Sequence, residues 1–470
     1  MRLGQISFVN FVSKIVTSVG GFVATVVITQ LLGSGVFGTY ALIIAVVIWL
    51  KTIAVMGVRS AVIKRASETG ETSEYVVAGA GILVAILLFL SAVLVTAQGY
   101  VDSYIGTTAT YSIIALTWSV SLLSLATGVL HGQHLVHYAA LLRPVDIGIR
   151  SVVQIAAVVL GFSLGGILFG YGLGAIIAAF IGLVYIVDLT PKRPDREHFD
   201  DLFGYAKFAW LGTLSSRTFT SMDTIVLGLF VSVNLIGIYE VSWNLASLLA
   251  VFGAVLGQTL FPEFSKLSSA GNAEEVRSLL EKSIAFSGLF LIPGLVGAVI
   301  IGDLVLYVYG NEFPRGHYIL VLLVLSRLVY NYADQLLTVL NGIDRPDLAF
   351  RANAAFVVVN LSLNLVLVYL YGWYGAAVAT VVSAVAALVI SYRHVRAIID
   401  GVPIPGGELA RQAVAAGMMS VVVYIPRQFL PDIFAVGVAL TVLGATVYFV
   451  SLFGLSSGFR TTVADNLPVL

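Results

Sequence analysis

The chain contains no cysteine. That excludes disulfides, Cys-ligated zinc, iron–sulfur clusters and thiol nucleophiles, and it leaves the compartment open. Charge is scarce as well. Only 11% of the 470 residues are Asp, Glu, Lys or Arg, where a soluble domain carries about 25%. Lys plus Arg and Asp plus Glu are equal at 25 each, so net charge points to no nucleic acid and no acidic partner. The signatures of nucleotide hydrolysis and of common catalytic sites are missing too: there is no Gly-rich loop ending in Lys-Ser or Lys-Thr, no HExxH and no GxSxG. No cofactor and no enzymatic activity are expected.

Long apolar runs are what the chain has instead. Hydrophobic residues make up 59% of it and the mean hydropathy is +0.99, which predicts an all-α polytopic membrane protein. Runs of about 18 or more apolar residues place spans near 8–32, 36–57, 75–97, 104–130, 138–161, 166–188, 203–230, 233–261, 283–302, 317–341, 349–371, 373–394, 409–429 and 432–455, about fourteen in all. Arg2 precedes a first span with no small-residue cleavage site behind it, so that helix is expected to be retained. Breaks such as Leu32-Gly33-Ser34-Gly35 and Tyr371-Gly372-Trp373 are short enough to make the flanking helices antiparallel.

The loop charges alternate on this map. Arg2 and the basic clusters at 59–65, 192–196, 266–282, 345–351, 393–411 and Arg460 fall on one side; the other holds only Arg315 and Arg427. The rule that cytoplasmic loops are rich in Lys and Arg then places both termini in the cytoplasm of a multi-pass cell-membrane protein. The segment 190–201, TPKRPDREHFDD, is charged and Pro-punctuated and reads as a cytoplasmic linker. It separates an N-terminal six-helix lobe (1–189) from a second (202–397), followed by two further transmembrane helices (398–470). A short internal repeat supports two lobes: Gly38-Thr39-Tyr40 and Gly237-Ile238-Tyr239 lie 199 residues apart, each opening a helix after a short outside turn. Parallel repeats of this kind are a transporter architecture.

Five segments carry a family likeness: LLGSGVFGTYAL at 31–42, SMDTIVLGLFVSVNLIGIYEVSWNL at 221–245, LFPEF at 260–264, YGNEF at 309–313 and NLVLVYLYGWYGAAVATVVS at 364–383. In order and spacing, from about residue 5 to 397, they resemble the oligosaccharide flippases and polysaccharide biosynthesis transporters of the multidrug/oligosaccharidyl-lipid/polysaccharide (MOP) exporter superfamily. The resemblance implies two six-helix lobes around a central cavity, alternating access, and a lipid-linked glycan as substrate.

Charges inside spans mark the candidate site, because at the bilayer centre each costs about 2.5–3.5 kcal/mol on insertion scales. The cations are Lys14, Arg143, Arg150, Arg217 and Arg327. Arg217 stands beside a polar helix face formed by Thr213, Ser216, Thr220 and Asp223. The repeat offset puts Lys14 on Thr213, one turn from Arg217. Arg143, Asp146, Arg150 and Gln154 share one face of the fifth span; Arg327, Asn331, Asp334, Thr338 and Asn341 form a stripe on the tenth, and Asn353, Asn360 and Asn364 lie on the eleventh. Interhelical hydrogen bonding accounts for the amides and hydroxyls. The cations suit phosphate, which arginine can hold through two parallel bonds. Asp223 and Asp334 are the candidate groups for a coupling H+ or Na+, or else permanent ion-pair partners. His131, His134 and His137 sit at three-residue spacing but read as interfacial polar residues, and no metal site is expected.

The leading reading is a flippase moving a polyprenyl- or dolichyl-linked oligosaccharide phosphate or diphosphate from the cytoplasmic to the outer leaflet, with membrane lipids as its other partners. A cation-coupled multidrug exporter of the same superfamily is the alternative; an acid would be expected in its first span, where this chain has Lys14. A membrane glycosyltransferase or polymerase is the third reading, with Asp102, Asp303 and Glu312 as its available acids.

Overall fold

The computed structural model describes the backbone of residues 3–55, 57–68, 72–186, 192–399, 401–402 and 404–466, and the side chains of these residues except 3–19, 68, 185–186, 205–220 and 462–466. Among them no strand occurs. The chain divides into two compact units, Met1–Gly237 and Ile238–Leu470. The first holds α1 (Leu3–Val55), α2 (Val58–Glu68), α3 (Thr72–Thr96), α4 (Gln98–Ile105), α5 (Thr110–Gly132), α6 (Val136–Val159), α7 (Leu164–Phe180) and α8 (Arg196–Phe230). In the second lie most of α9 (Val233–Ser269), then α10 (Ala273–Ser287), α11 (Leu291–Tyr307), α12 (His317–Gly342), α13 (Pro346–Tyr371), α14 (Trp373–Ile398), α15 (Gly406–Arg427), α16 (Phe434–Leu455) and α17 (Ser457–Asn466).

Eleven described helical stretches are long and apolar enough to cross a membrane. Charge rather than length keeps α6 out of that set, because Arg143, Asp146 and Arg150 all fall within it. The 36-residue stretch Gly20–Val55 joins what the sequence reads as two spans. The break comes at Gly33, whose φ of 76° and ψ of 176° interrupt the helical path. Gly372 makes the second sharp turn, with φ 58° between α13 and α14, a conformation other residues adopt only under strain. Many large apolar side chains, such as Leu160, Phe169, Tyr369 and Val450, are exposed, as befits helices solvated by lipid. The chain is thus an all-α, multi-pass membrane protein.

In the first unit the core joins α2, α3, α5 and α8 through Val62, Tyr75, Leu83, Leu87, Val129 and Leu202. The glycines of the internal repeat account for a second junction there. A Cβ on Gly38 would collide with the carbonyl of Val233, and one on Gly237 with the carbonyl of Ser34. Ser34 and Val233 are themselves 199 residues apart, as are Gly38 and Gly237. The crossing of α1 with the first turn of α9 is therefore reciprocal, each small residue seating the other repeat's backbone.

In the second unit one core packs α9, α10, α12, α13 and α14 through Phe264, Leu280, Leu336, Leu340, Ala352 and Val395. Another binds α11 to α15 and α16 through Leu304, Ala415, Met419, Leu440 and Tyr448. At that junction Arg427 of α15 pairs with Asp303 of α11 and with Asp432, each at 2.7 Å, and Gln412 Nε2 ties α15 to α10 by donating to the Ala285 carbonyl at 2.7 Å.

Candidate functional site

A polar node forms in the first unit where α1, α6 and α7 meet. Arg150 Nη2 donates to both carboxylate oxygens of Asp146, one turn earlier on α6, at 2.9 and 2.8 Å. The guanidinium carbon lies 3.5 Å from the ring centroid of Tyr171 on α7, a cation–π contact worth about 2 kcal/mol when desolvated. Tyr171 meets Tyr40 of α1 edge to face, with centroids 6.2 Å apart. Gln154 Nε2 closes the group by donating to Tyr40 Oη at 3.2 Å and to the Ile167 carbonyl at 2.8 Å. Close approach of α7 makes this possible: a Cβ on Gly174 would come within 2.6 Å of the Asp146 carbonyl and 3.1 Å of Arg150 Cβ.

The Asp146 and Arg150 side chains are 9% and 18% exposed. An ion pair this buried gains Coulomb energy but loses hydration, and so is weak evidence for stability. Its geometry is more telling. Asp146 is held through one nitrogen of the guanidinium rather than a two-nitrogen fork. Arg150 Nε is buried and has no acceptor among the described residues. The cation is thus fixed in place with donor capacity to spare.

A second node lies on α12 and α9, within the second unit. The Arg327 guanidinium stacks over Trp243 at 4.0 Å from the ring centroid, and its Nη2 donates to Ser247 Oγ. Tyr330, on the same helix, packs edge to face on Phe356 of α13. Asp334 is half-buried two turns from Arg327; no hydrogen bond or ion pair joins it to Arg327 or to any other described residue.

The structure divides the α12 stripe in two. Asn331 Nδ2 donates to the Ser287 carbonyl at 2.7 Å. Gln335 Nε2 donates to the Gly253 carbonyl at 3.1 Å while its Oε1 accepts from Ser283 at 2.6 Å. These amides tie α12 to α9 and α10, and Asn341 is spent on its own helix, donating to the Leu337 carbonyl. On α13, Asn360 and Asn364 are buried, and Asn364 Nδ2 donates to the Asn360 carbonyl at 3.1 Å.

The remaining candidates scatter. Arg143 is exposed two turns from Arg150 on α6, with no partner among the described residues. Asp223 is buried near the end of α8 and is engaged by neighbours. The side chains of Lys14, Thr213, Ser216, Arg217 and Thr220 lie outside the described residues. His131 Nδ1 sits 3.2 Å from Arg59 Nη2, and His134 is in the left-handed conformation at φ 61°. The aromatic faces Tyr171 and Trp243, which hold the two arginines, were not singled out from sequence. An aromatic inside an apolar run carries no mark that separates it from a lipid-facing one.

Comparison with known proteins places this framework. The sequence profile described as polysaccharide biosynthesis protein matches residues 27–315. A probable flippase, AglR of Haloferax volcanii, is 32% identical over 99% of this chain and 98% of its own. A probable low-salt glycan biosynthesis flippase from the same organism, Agl15, is 27% identical over 82% of this chain and 81% of its own. Among solved structures, the inward closed conformation of the lipid II flippase MurJ superposes with a TM-score of 0.82 over 97% of this chain and all of its own, at 15% identity, a likeness of fold. On the profile match and the near full-length identity to AglR, the chain belongs to the polysaccharide biosynthesis protein family.

Proposed function

We propose that the chain is a flippase that carries a lipid-linked oligosaccharide, on a polyprenyl or dolichyl phosphate or diphosphate, from the cytoplasmic to the outer leaflet by alternating access. The observation that carries this reading at the residue level is Arg150, clamped by Asp146 and Tyr171 with its Nε lacking an acceptor. A cation prepared in this way suits an anionic headgroup, because charge-assisted hydrogen bonds are roughly twice as strong as neutral ones. Arg327 over Trp243 repeats the arrangement in the second unit. Lys14, Arg143 and Arg217 complete the proposed cation set. The names of AglR and Agl15 as probable flippases support the same activity.

The proposal includes fourteen spans, both termini in the cytoplasm, lobes at 1–189 and 202–397 joined by 190–201, and two additional helices in 398–470. It also assigns transport rather than catalysis. Asp102 Oδ1 accepts from the Ala109 and Thr110 amides and the Thr110 hydroxyl, which makes it a helix cap. Asp303 is paired with Arg427. Two of the three acids open to a transferase reading are therefore committed to structure.

Reconstituted vesicles test the function. A polyprenyl-diphosphate-linked oligosaccharide is placed in one leaflet and its accessibility to an impermeant glycosidase or lectin is followed. Protein-dependent transfer with no new glycosidic product is expected. Product formation would show an enzyme, and failure to transfer any lipid-linked glycan would remove the flippase reading.

A further inference from the structure

We propose that the second unit holds a binding site for one anionic phospholipid of the bilayer, its phosphate on Arg393 and Arg396 and a hydrocarbon chain in the groove beside them. The groove is a cavity of about 460 Å³ between α10, α12, α14 and the segment leading into α15, within the range of about 300–1,000 Å³ of small-molecule sites. Its walls include Tyr332, Leu388, Val389 and Ile404. Arg393 and Arg396, one turn apart on α14, line the same cavity.

Charge decides the occupant. Both arginines are exposed, and neither has a hydrogen bond or ion pair among the described residues. The one acid beside the groove's Leu409 is spent elsewhere: Glu408 is paired with Arg411 and accepts from Ser456 at 2.7 Å. A neutral lipid would leave two cations uncompensated at the mouth, and a soluble anion would leave the apolar walls empty. A phosphate joined to a long hydrocarbon chain satisfies both. Basic pockets between helices at the membrane surface bind anionic headgroups by this chemistry. None of the lining residues is among the cations assigned to the transported substrate.

Native mass spectrometry of the full chain released from nanodiscs tests the inference, with phosphatidylglycerol and phosphatidylcholine as probes. Preferential retention of phosphatidylglycerol is expected. Arg393→Gln and Arg396→Gln should each weaken it about 5-fold and together about 30-fold, from about 1 kcal/mol per cation near a membrane surface. Val389→Trp, at a side chain already 41% exposed, should fill the groove and abolish retention with both arginines intact. Equal retention of the two lipids, or a double variant that binds like the parent, would overturn the proposal. Displacement of the lipid by glycerol 3-phosphate at equal affinity would make this a plain anion site. Displacement by polyprenyl phosphate at more than tenfold higher affinity would make it part of the transport path. Either result also overturns it. None of these readouts depends on flipping.

Discussion

At the scale of single residues, burial and pairing separate a phosphate-binding arginine from a structural one. Arg150→Ala alone conflates the two roles, since it strands Asp146 as a buried carboxylate, a change that costs about 3–5 kcal/mol. The paired change Arg150→Gln with Asp146→Asn removes both charges, leaves no buried ion unpaired and keeps a polar side chain at each position. It should insert and melt like the parent yet lower vesicle flipping by about tenfold or more, the loss of one charge-assisted bond of about 1.5–3 kcal/mol. Arg150→Lys should recover only part, because an ammonium cannot stack as a plane on Tyr171. Unimpaired flipping by the charge-free pair would remove Arg150 from the substrate path. Both arginines were visible in the sequence as charges inside apolar runs. What holds them was not, because Tyr171 and Trp243 look like any other aromatic in a span. Asn331 was visible as part of a polar stripe, but only the packing of α10 shows that it is spent on a backbone carbonyl; Gln335, which the stripe does not include, is spent in the same way on α9.

Asp102 gives a residue-scale prediction outside the spans. The Ala109 amide, followed by the Thr110 hydroxyl and amide, holds its carboxyl below the usual carboxylate range. A folded-state pKa below the unfolded value means stability that is present above the unfolded pKa, about 3.9, and lost as pH falls through the lower folded value. Amide exchange at Ala109 and Thr110, corrected for intrinsic rate, should therefore be slow at neutral pH and quicken only on strong acidification. Asp102→Asn should quicken it already at neutral pH and flatten the acid dependence. An unchanged profile in that variant would show that the cap contributes nothing to the start of α5.

At the scale of elements, the repeat becomes a testable contact. The sequence offers two tripeptides 199 residues apart, a pattern short enough to arise by chance. The fold supplies the missing argument, since Gly38 meets the Val233 carbonyl and Gly237 meets the Ser34 carbonyl. Gly38→Ala and Gly237→Ala should each force the crossing open. Each should cost about 1–3 kcal/mol, as overpacking does, and lower the melting temperature in detergent. The double variant should cost less than the two added together, because the first methyl already separates the helices. Gly148, with nothing within 4 Å of a Cβ, is the control, and Gly148→Ala should be neutral. If Gly237→Ala melts like Gly148→Ala, the close crossing does not exist in the membrane. Helix breaks were legible for a local reason, because Gly33 and Gly372 adopt backbone angles that favour glycine. That α15 and α16 dock on α11 was not legible, because Arg427 and Asp303 announce no partner until the fold brings them together.

At the scale of the whole molecule, orientation and driving force each yield a prediction. The distribution of loop Lys and Arg predicts both termini in the cytoplasm, and a chain without cysteine suits single-Cys labelling. Ser67→Cys, at an exposed position, should react with an impermeant maleimide only from the cytoplasmic side, and the exposed Ser103→Cys from outside. The reverse pattern would invert the map. Transport direction then needs a driving force, and the chain has no nucleotide-binding motif. We propose that a proton or sodium gradient resets the transporter through Asp334 or Asp223. Asp334 has the stronger geometric case, since Arg327 turns to Trp243 and Ser247 and leaves the acid without a bonded partner among the described residues. An acid that is already someone's ion-pair partner must break that pair to bind a coupling ion, and Asp334 does not. In proteoliposomes, an imposed gradient should change the initial flipping rate of the parent. Asp334→Asn should abolish that response while preserving slow downhill equilibration, whereas Asp223→Asn, at a residue already engaged by neighbours, should retain it if Asp334 is the coupling group. Loss of the response in Asp223→Asn alone would move the coupling site to α8. Flipping indifferent to both gradients would make the two acids structural and leave the substrate's own gradient as the driving force.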